Sequence, residues 1–260
     1  MANHTLKLGK KDAKFNPYAL KLANYIDKSY VPPAFADNTP YGFTAWGMML
    51  NGPEQNPPKG VPTAGLGDCT IAACAHALQI FTRGETTLAD SVVLSYYEKW
   101  CGYVLGKENT DNGGVEIDVL NDWKAQGMNG HALEGYVDPQ PSNWSHIAHS
   151  IAEFGGVYIG LQLPNSAMEQ TQNGQVWDVV ANDGGIAGGH AVFCPAYHTL
   201  DPTYNKKTTI TAITWGMKQK MTMAFWEKYC DESHTLLAAA WQPAGVNLAG
   251  LRADLAFMAN

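Results

Sequence analysis

The sequence predicts an α+β protein of two lobes, helical first and antiparallel β second. Three observations carry this expectation. The chain has 260 residues, 45 % of them apolar, which is enough to fill a sizeable core. Helix-spaced apolar residues dominate up to about residue 130. Beyond that point short apolar runs bounded by turn residues take over, which is the pattern of paired strands. The expected division is an N-terminal arm over 1–50 and a single domain over 51–260. Within that domain the helical lobe covers about 51–130 and the β lobe about 131–260.

The elements follow in order. Asn16-Pro17 opens a helix-spaced pattern through Tyr18, Leu20, Leu22, Ala23, Tyr25 and Ile26, which Val31-Pro32-Pro33 stops. Residues 51–67, NGPEQNPPKGVPTAGLG, read as a long loop, and loops of this length are commonly functional. Asp68 then stands where a helix cap belongs. From Cys69 to Thr82 the alanine-rich CTIAACAHALQIFT predicts a buried helix whose small side chains let neighbours approach. A second helix is expected over Thr87 to Trp100, and a third over Val115 to Gln126, closed by Gly127. Strands are expected over 130–137, over Val157 to Leu163, and over 189–197 and 208–215, the last two joined by a turn at Asp201-Pro202. A helix from Asn143 to Phe154 separates the first two. Phe225 to Cys230 and Leu236 to Trp241 close the core.

Composition excludes several functions. Lys plus Arg is 17 against 24 for Asp plus Glu, a net charge of −7, and no basic run appears. Nucleic acid, which is held through clustered cations, is not an expected partner. The longest purely apolar run, Leu236 to Trp241, is too short to span a bilayer, so no membrane partner is expected. The N-terminus has no apolar signal-peptide core. The five cysteines are irregularly spaced and include no CxxC pair, which argues against a disulfide scaffold and against a thiolate zinc site. The expected home is the cytoplasm, or a particle assembled in a reducing compartment. No cofactor and no metal is expected. Oligomeric state is not readable.

Cys69 carries the strongest chemical signal. It opens a helix, where unpaired N–H groups and the helix dipole favour an anion, so its thiol is expected to titrate below the ordinary value. The alternative is a small buried apolar residue, the reading preferred for Cys74, Cys101, Cys194 and Cys230. A nucleophilic thiol needs a base. Of the eight histidines, His190 stands out, because it opens an apolar strand directly after Gly188-Gly189. It follows Cys69 by 121 residues. His146 and His149 are three apart on a helix but lack a third ligand at matching spacing, and His76 reads as a core histidine. Trp177 and Trp226 read as core, and Asp231-Glu232 as ordinary surface charge.

Four segments together resemble the papain-like cysteine peptidases, in a divergent form found in bacterial and phage proteins. Gly67-Asp68-Cys69-Thr70 resembles the nucleophile turn. Asp111-Asn112-Gly113-Gly114 resembles the loop that offers backbone to an extended peptide. Gly189-His190-Ala191-Val192 resembles the strand of the catalytic histidine, and Thr214-Trp215-Gly216 the segment that orients it. The resemblance implies a two-lobed papain-like fold, with Cys69 as nucleophile, His190 as base, and Gly113, Gly114, Gly189 and Trp215 lining the substrate cleft. Two positions depart from the family pattern. The orienting Asn falls at Ile213, leaving Thr214 or Asp201 as substitutes, and the oxyanion Gln falls at Thr63. Met48-Met49-Leu50-Asn51 resembles the corresponding segment of the divergent group, which makes Asn51 the first oxyanion candidate, ahead of Gln55 and Asn56.

The expected function is a thiol hydrolase that cleaves peptide or amide bonds of a peptide or protein substrate through an acyl-enzyme. A thiol acyltransferase would use the same dyad. The alternative of another class is a weak or inactive papain-like scaffold, a binding or structural protein such as a particle component. An N-terminal arm or the 51–67 insertion lying in the cleft would mimic a propeptide.

Overall fold

The structure is a computed structural model that describes residues 6–27, 29–53, 56–199, 208–243 and 245–258. Its elements in chain order are β1 (Phe35–Asp37), α1 (Cys69–Phe81), α2 (Asp90–Cys101), α3 (Glu116–Gln126), β2 (Leu133–Val137), α4 (Trp144–Phe154), β3 (Val157–Pro164), α5 (Asn165–Gln172), β4 (Ile186–His198), β5 (Thr209–Thr214), β6 (Met217–Thr222), α6 (Met223–Tyr229), β7 (Cys230–Ala238) and α7 (Leu248–Met258). The strands form one sheet in the order β2-β7-β3-β4-β5-β6, with β1 added to β4, and every pairing is antiparallel.

Every residue of α1 is buried. A helix dressed mainly in Ala and short aliphatics can be surrounded on all sides, because neighbouring backbones come close without steric cost. It shares a core with α2, α3 and one face of the sheet, where Tyr158 and Phe193 meet it and Phe81 packs edge-on to Phe193. The other face of the sheet, carrying Ile159, Leu161, Val192 and Cys194, packs with α4 and α6 through Ile147, Ile151, Phe225 and Trp226. A smaller core joins Leu22 and Tyr25 to α7 through Leu251 and Leu255. Alternation along β3 and β4 thus feeds two cores, as the period of two requires.

Several expectations change. The helix expected over 18–26 shrinks to a 3-10 turn at Leu22–Asn24. The chain there is held from outside, with Leu22 N–H donating to Asp138 O and Ile26 bridging Val246, so tertiary contacts override the local pattern. The run over 225–230, expected only to close the core, falls largely in α6, which Thr222 caps by accepting Phe225 N–H. The run at 236–241 belongs to β7, which starts earlier, at Cys230. Asp68 precedes α1 without a side-chain cap bond; its carbonyl accepts Ile71 N–H and Ala72 N–H instead. β1, α5, β6 and α7 were not expected. The turn at Asp201-Pro202, with Asp201, lies outside the described residues, as does Gln55. No helix among the described residues is long and apolar enough to cross a membrane.

Candidate active site

Two turns build the site. Cys69 is the first residue of α1, delivered by the bend Leu66-Gly67-Asp68. That segment is tied down by Asp111, whose carboxylate accepts Gly67 N–H at 2.9 Å and Tyr97 Oη–H at 2.6 Å, while Tyr97 Oη accepts Gly113 N–H. At the other side, β5 turns into β6 through Trp215-Gly216, both at positive φ (48° and 72°). A two-residue hairpin of this kind suits Gly and strains Trp. The strained turn lays the indole of Trp215 against the imidazole of His190, with centroids 4.3 Å apart and planes 16° from parallel.

His190 lies on β4 and is fully buried. Its Nε2 is hydrogen-bonded to Thr214 Oγ1 at 2.7 Å. Nδ1 has no hydrogen-bond partner among the described residues. Thr214 is thus in contact with His190, Asp201 lies outside the described residues, and Ile213 is a core residue. Cys69 Sγ accepts the N–H of Ala191, the residue after His190, at 3.4 Å.

The titration of this pair corrects the expectation. Burial pushes the Cys69 thiol up to about 12, with the N–H groups of Ala191 and Gly9 opposing and Asp68 adding to the rise. Burial likewise holds His190 down to about 3. The helix-terminal field is real, but removal from water outweighs it. In this state both groups are neutral. Asp68 is held well above the ordinary carboxylate range, also by burial, against the opposing amide of Asn51.

Asn51 is buried beside this corner and donates Nδ2–H to Leu66 O at 3.1 Å. Asn56 is exposed. His76 is a core histidine bonded to Gln79, and His146 and His149 bond Pro139 O and Ser145 O separately. All five cysteines are free; Cys101 and Cys230 are only half-buried, unlike Cys74 and Cys194.

The cleft is filled by the chain's own N-terminal arm. Gly9 N–H and Lys10 N–H both donate to Gly189 O, at 3.1 and 3.0 Å. Gly114 N–H donates to Gly9 O, and Lys11 N–H to Gly114 O, each at 2.9 Å, a parallel bridge centred on Lys10. Trp215 Nε1–H donates to Lys7 O. Residues 7–11 thus run between Gly114 and Gly189, with a single β-bridge at Lys10. Gly113 contributes clearance and no backbone bond to this segment. A Cβ on Gly113 would overlap Gly9 O, and a Cβ on Gly9 would overlap Gly67 O. Gly9 N–H is engaged by Gly189 O, and its carbonyl oxygen is taken by Gly114, so the arm residue at the nucleophile offers it no free carbonyl.

Sequence reasoning missed the residues around Lys10. Its ammonium is fully buried and paired with Asp231 Oδ2 and Glu232 Oε1, both at 2.9 Å. Burial pulls its pKa down, but Glu232, Glu116 and Asp231 more than offset this, and the net shift is upward. Asp231-Glu232 is therefore not ordinary surface charge. The pairing of β3 with β7 passes from Gly160↔Glu232 to Leu161↔Cys230, which leaves Asp231 as a bulge. A bulge lets two consecutive side chains serve one side of the strand. An acidic pair near the start of β7 was the available signal.

The sequence matches no family model and none of the curated proteins. The fold matches solved structures. Xylellain, a cysteine protease from Xylella fastidiosa, aligns over 89 % of this chain and 96 % of its own at TM-score 0.61 and 16 % identity. Digestive procathepsin L 3 of the Tenebrio molitor larval midgut aligns over 86 % and 75 % at TM-score 0.54 and 12 % identity. The fold is that of the papain-like cysteine proteases. At these identities the likeness concerns the fold, and the chemistry has to be argued from the residues in place.

Proposed function

We propose that the protein is a papain-type thiol hydrolase of peptide or amide bonds, at rest with its arm across the nucleophile. The observation that carries this reading is the arm itself. A stretch of extended polypeptide pairs its backbone with Gly114 and Gly189 directly over Cys69. A cleft that accepts one peptide by main-chain hydrogen bonds can accept another. The same reading divides residues 51–260 into a helical lobe over about 51–130 and a β lobe over about 131–260, with the arm between them.

When a substrate replaces the arm, water reaches the thiol and imidazole and the burial penalty on their charged forms falls. With Nε2–H donated to Thr214 Oγ1, Nδ1 keeps its lone pair and takes the thiol proton. Sγ attacks the substrate carbonyl carbon. The oxyanion is held by Cys69 N–H at the helix N-terminus and by the Asn51 amide. Collapse expels the amine, which takes the proton from His190 and leaves a thioester on Cys69. Water then gives a proton to Nδ1, its oxygen attacks the thioester carbonyl, and the acid departs as Sγ recovers a proton. Trp215 shields the His190–Thr214 bond from solvent.

The test is iodoacetamide alkylation of Cys69 against pH, alongside turnover of a peptide amide, in wild type, Lys10→Ala and Lys10→Ala/His190→Ala. The expected result is slow alkylation in wild type and fast alkylation near neutrality in Lys10→Ala. Adding His190→Ala should move the thiol titration back toward about 8.5. Turnover should require Cys69. A thiol that stays inert once the arm is loosened would overturn the reading. The thiol at about 12 and the filled cleft favour, as second reading, a scaffold without chemistry. That outcome would select it.

A further inference from the structure

The pocket that holds Lys10 is built for a basic side chain, and this bears on what the cleft accepts. The aliphatic stem of Lys10 runs over Gly160, where a Cβ would overlap Lys10 Cε and press on Glu232 Cγ. The sheet register sets Gly160 between Ala191 on β4 and Glu232 on β7, so the bare backbone forms the floor of a slot. At the end of the slot stand Asp231 and Glu232, each 2.9 Å from the ammonium. Beyond them is Glu116, the first residue of α3, fully buried, with neither carboxylate oxygen hydrogen-bonded among the described residues. His234 Nε2 lies 3.4 Å from Glu232 Oε2 and 3.7 Å from Glu116 Oε2. Burying carboxyl groups this way is unfavourable unless a cation joins them.

The arm pairs with Gly114 in the parallel sense, so a peptide running the opposite way can pair with the same glycine and sets the residue before the cut carbonyl in the slot. The side-chain slot next to the nucleophile is the part that discriminates. We infer that this slot selects substrates carrying a lysine next to the residue whose carbonyl is cut, and that Lys10 occupies it at rest as a stand-in for that substrate lysine. The inference rests on the hydrolase reading for the word substrate, but the pocket's preference stands or falls separately.

The experiment uses full-length Lys10→Ala, with Gly9→Ala as a second way of displacing the arm, since a Cβ there overlaps Gly67 O. The probes are acyl-X-Gly-aminocoumarin amides with X as Lys, Arg, Leu or Glu. Two readouts are taken: release of aminocoumarin, and the slowing of Cys69 alkylation by the corresponding uncleavable acyl-X-Gly alcohols. The expected kcat/KM for Lys exceeds that for Leu by about 100-fold. This is below the 10⁴–10⁵ of a fully closed polar site, because the Asp231 side chain is 26 % exposed. Only the basic alcohols should protect the thiol. Glu232→Leu should turn the preference toward Leu.

Turnover with no preference for Lys or Arg would overturn the pocket inference and leave the hydrolase reading intact. Protection by the lysine probe without turnover of any amide would uphold the pocket and overturn the hydrolase reading. Neither effect would overturn both. Glu116, Glu232 and His234 also offer ligand atoms within 4.8 Å of one another. If zinc alone slows alkylation in Lys10→Ala while the lysine probe does not, the cluster is a cation site and the lysine inference fails.

Discussion

Two buried polar sites flank the Gly9-Lys10 step of the arm, and burial acts oppositely on them. At Cys69 and His190 it leaves a neutral thiol and a neutral imidazole, at about 12 and about 3. At Lys10 it coexists with full charge, and the ammonium titrates above its ordinary value. The difference is the counter-ion. Asp231 and Glu232 meet the ammonium at 2.9 Å, whereas His190 faces only a hydroxyl and a ring. Removal from water neutralises a group that has no partner and is tolerated by one that has two. The arm does both jobs at once: its backbone covers Cys69 and its buried Lys10 ammonium completes the acidic slot.

The largest effect is expected from breaking the charged site. Lys10→Met keeps the stem and removes the cation, stranding Asp231 and Glu232. The expected loss is roughly 3 kcal/mol in urea unfolding, the low end for breaking a buried pair, because Asp231 retains some water. The arm should leave the cleft, and Cys69 alkylation should rise by about 100-fold. Loss of stability with an unreactive thiol would show that the two sites are not coupled through the arm.

Thr214 tests the neutral site. In the Lys10→Ala background, Thr214→Val should lower kcat/KM by about 100-fold, the lower end of what a positioned base contributes. Thr214→Ser should restore most of it, and the acidic limb of the pH–rate profile should move with the Val variant alone. A merely structural role would affect thermal stability in all backgrounds and leave the profile unchanged.

The positions of Cys69 and His190 were legible and the slot was not, for a physical reason. Cys69 opens α1 after Gly67-Asp68, and His190 follows Gly188-Gly189 within β4, so local sequence marks them. The α1 helix and the β3 and β4 strands are legible as small or apolar runs because neighbours bury them on more than one side. The slot is assembled from Lys10, Glu116, Gly160, Asp231 and Glu232, which lie far apart in the chain and meet only through strand register and a bulge. Nothing local distinguishes Lys10 from Lys11. The predicted fall of the Cys69 pKa failed for a related reason, since the helix terminus is read from sequence and the lid over it is not. α6 was not assigned because Phe225 to Cys230 is short, a length at which strand and helix patterns coincide.

A pH experiment sharpens the same comparison at smaller amplitude. His190 is depressed to about 3 from an ordinary 6.5, so below pH 6.5 the unfolded chain binds a proton that the folded chain refuses. Stability contributed by this group is present above pH 6.5 and is lost as pH falls toward 3. Its limiting slope is about 1.4 kcal/mol per pH unit. His76, depressed to about 4, acts in the same direction. Glu116 and Asp68, held above their ordinary range, act in the opposite one, binding protons in the fold first as pH falls. The wild-type curve alone mixes these. The difference between wild type and His190→Gln, from urea midpoints between pH 7 and 4.5, isolates His190. Wild type should lose stability faster. In the Lys10→Met pair the difference should shrink, because solvent then reaches the ring. Equal slopes in the first pair would mean that the imidazole is already hydrated with the arm in place.

The smallest effect is expected where the arm carries a charge pair without burial. Lys14 Nζ reaches Asp118 Oδ1 at 2.8 Å, as short as the Lys10 contacts, but the two side chains are 60 % and 45 % exposed. Water screens the attraction, and holding two long side chains in one geometry costs entropy. Lys14→Ala should therefore leave the urea midpoint within about 0.5 kcal/mol of wild type and the Cys69 alkylation rate unchanged. Lys10 and Lys14 then differ in effect because of the slot alone, at equal distance and equal charge. A Lys14→Ala protein that loses stability or exposes its thiol as Lys10→Met does would mean that the arm is held by its overall charge, and the acidic slot would lose its special standing.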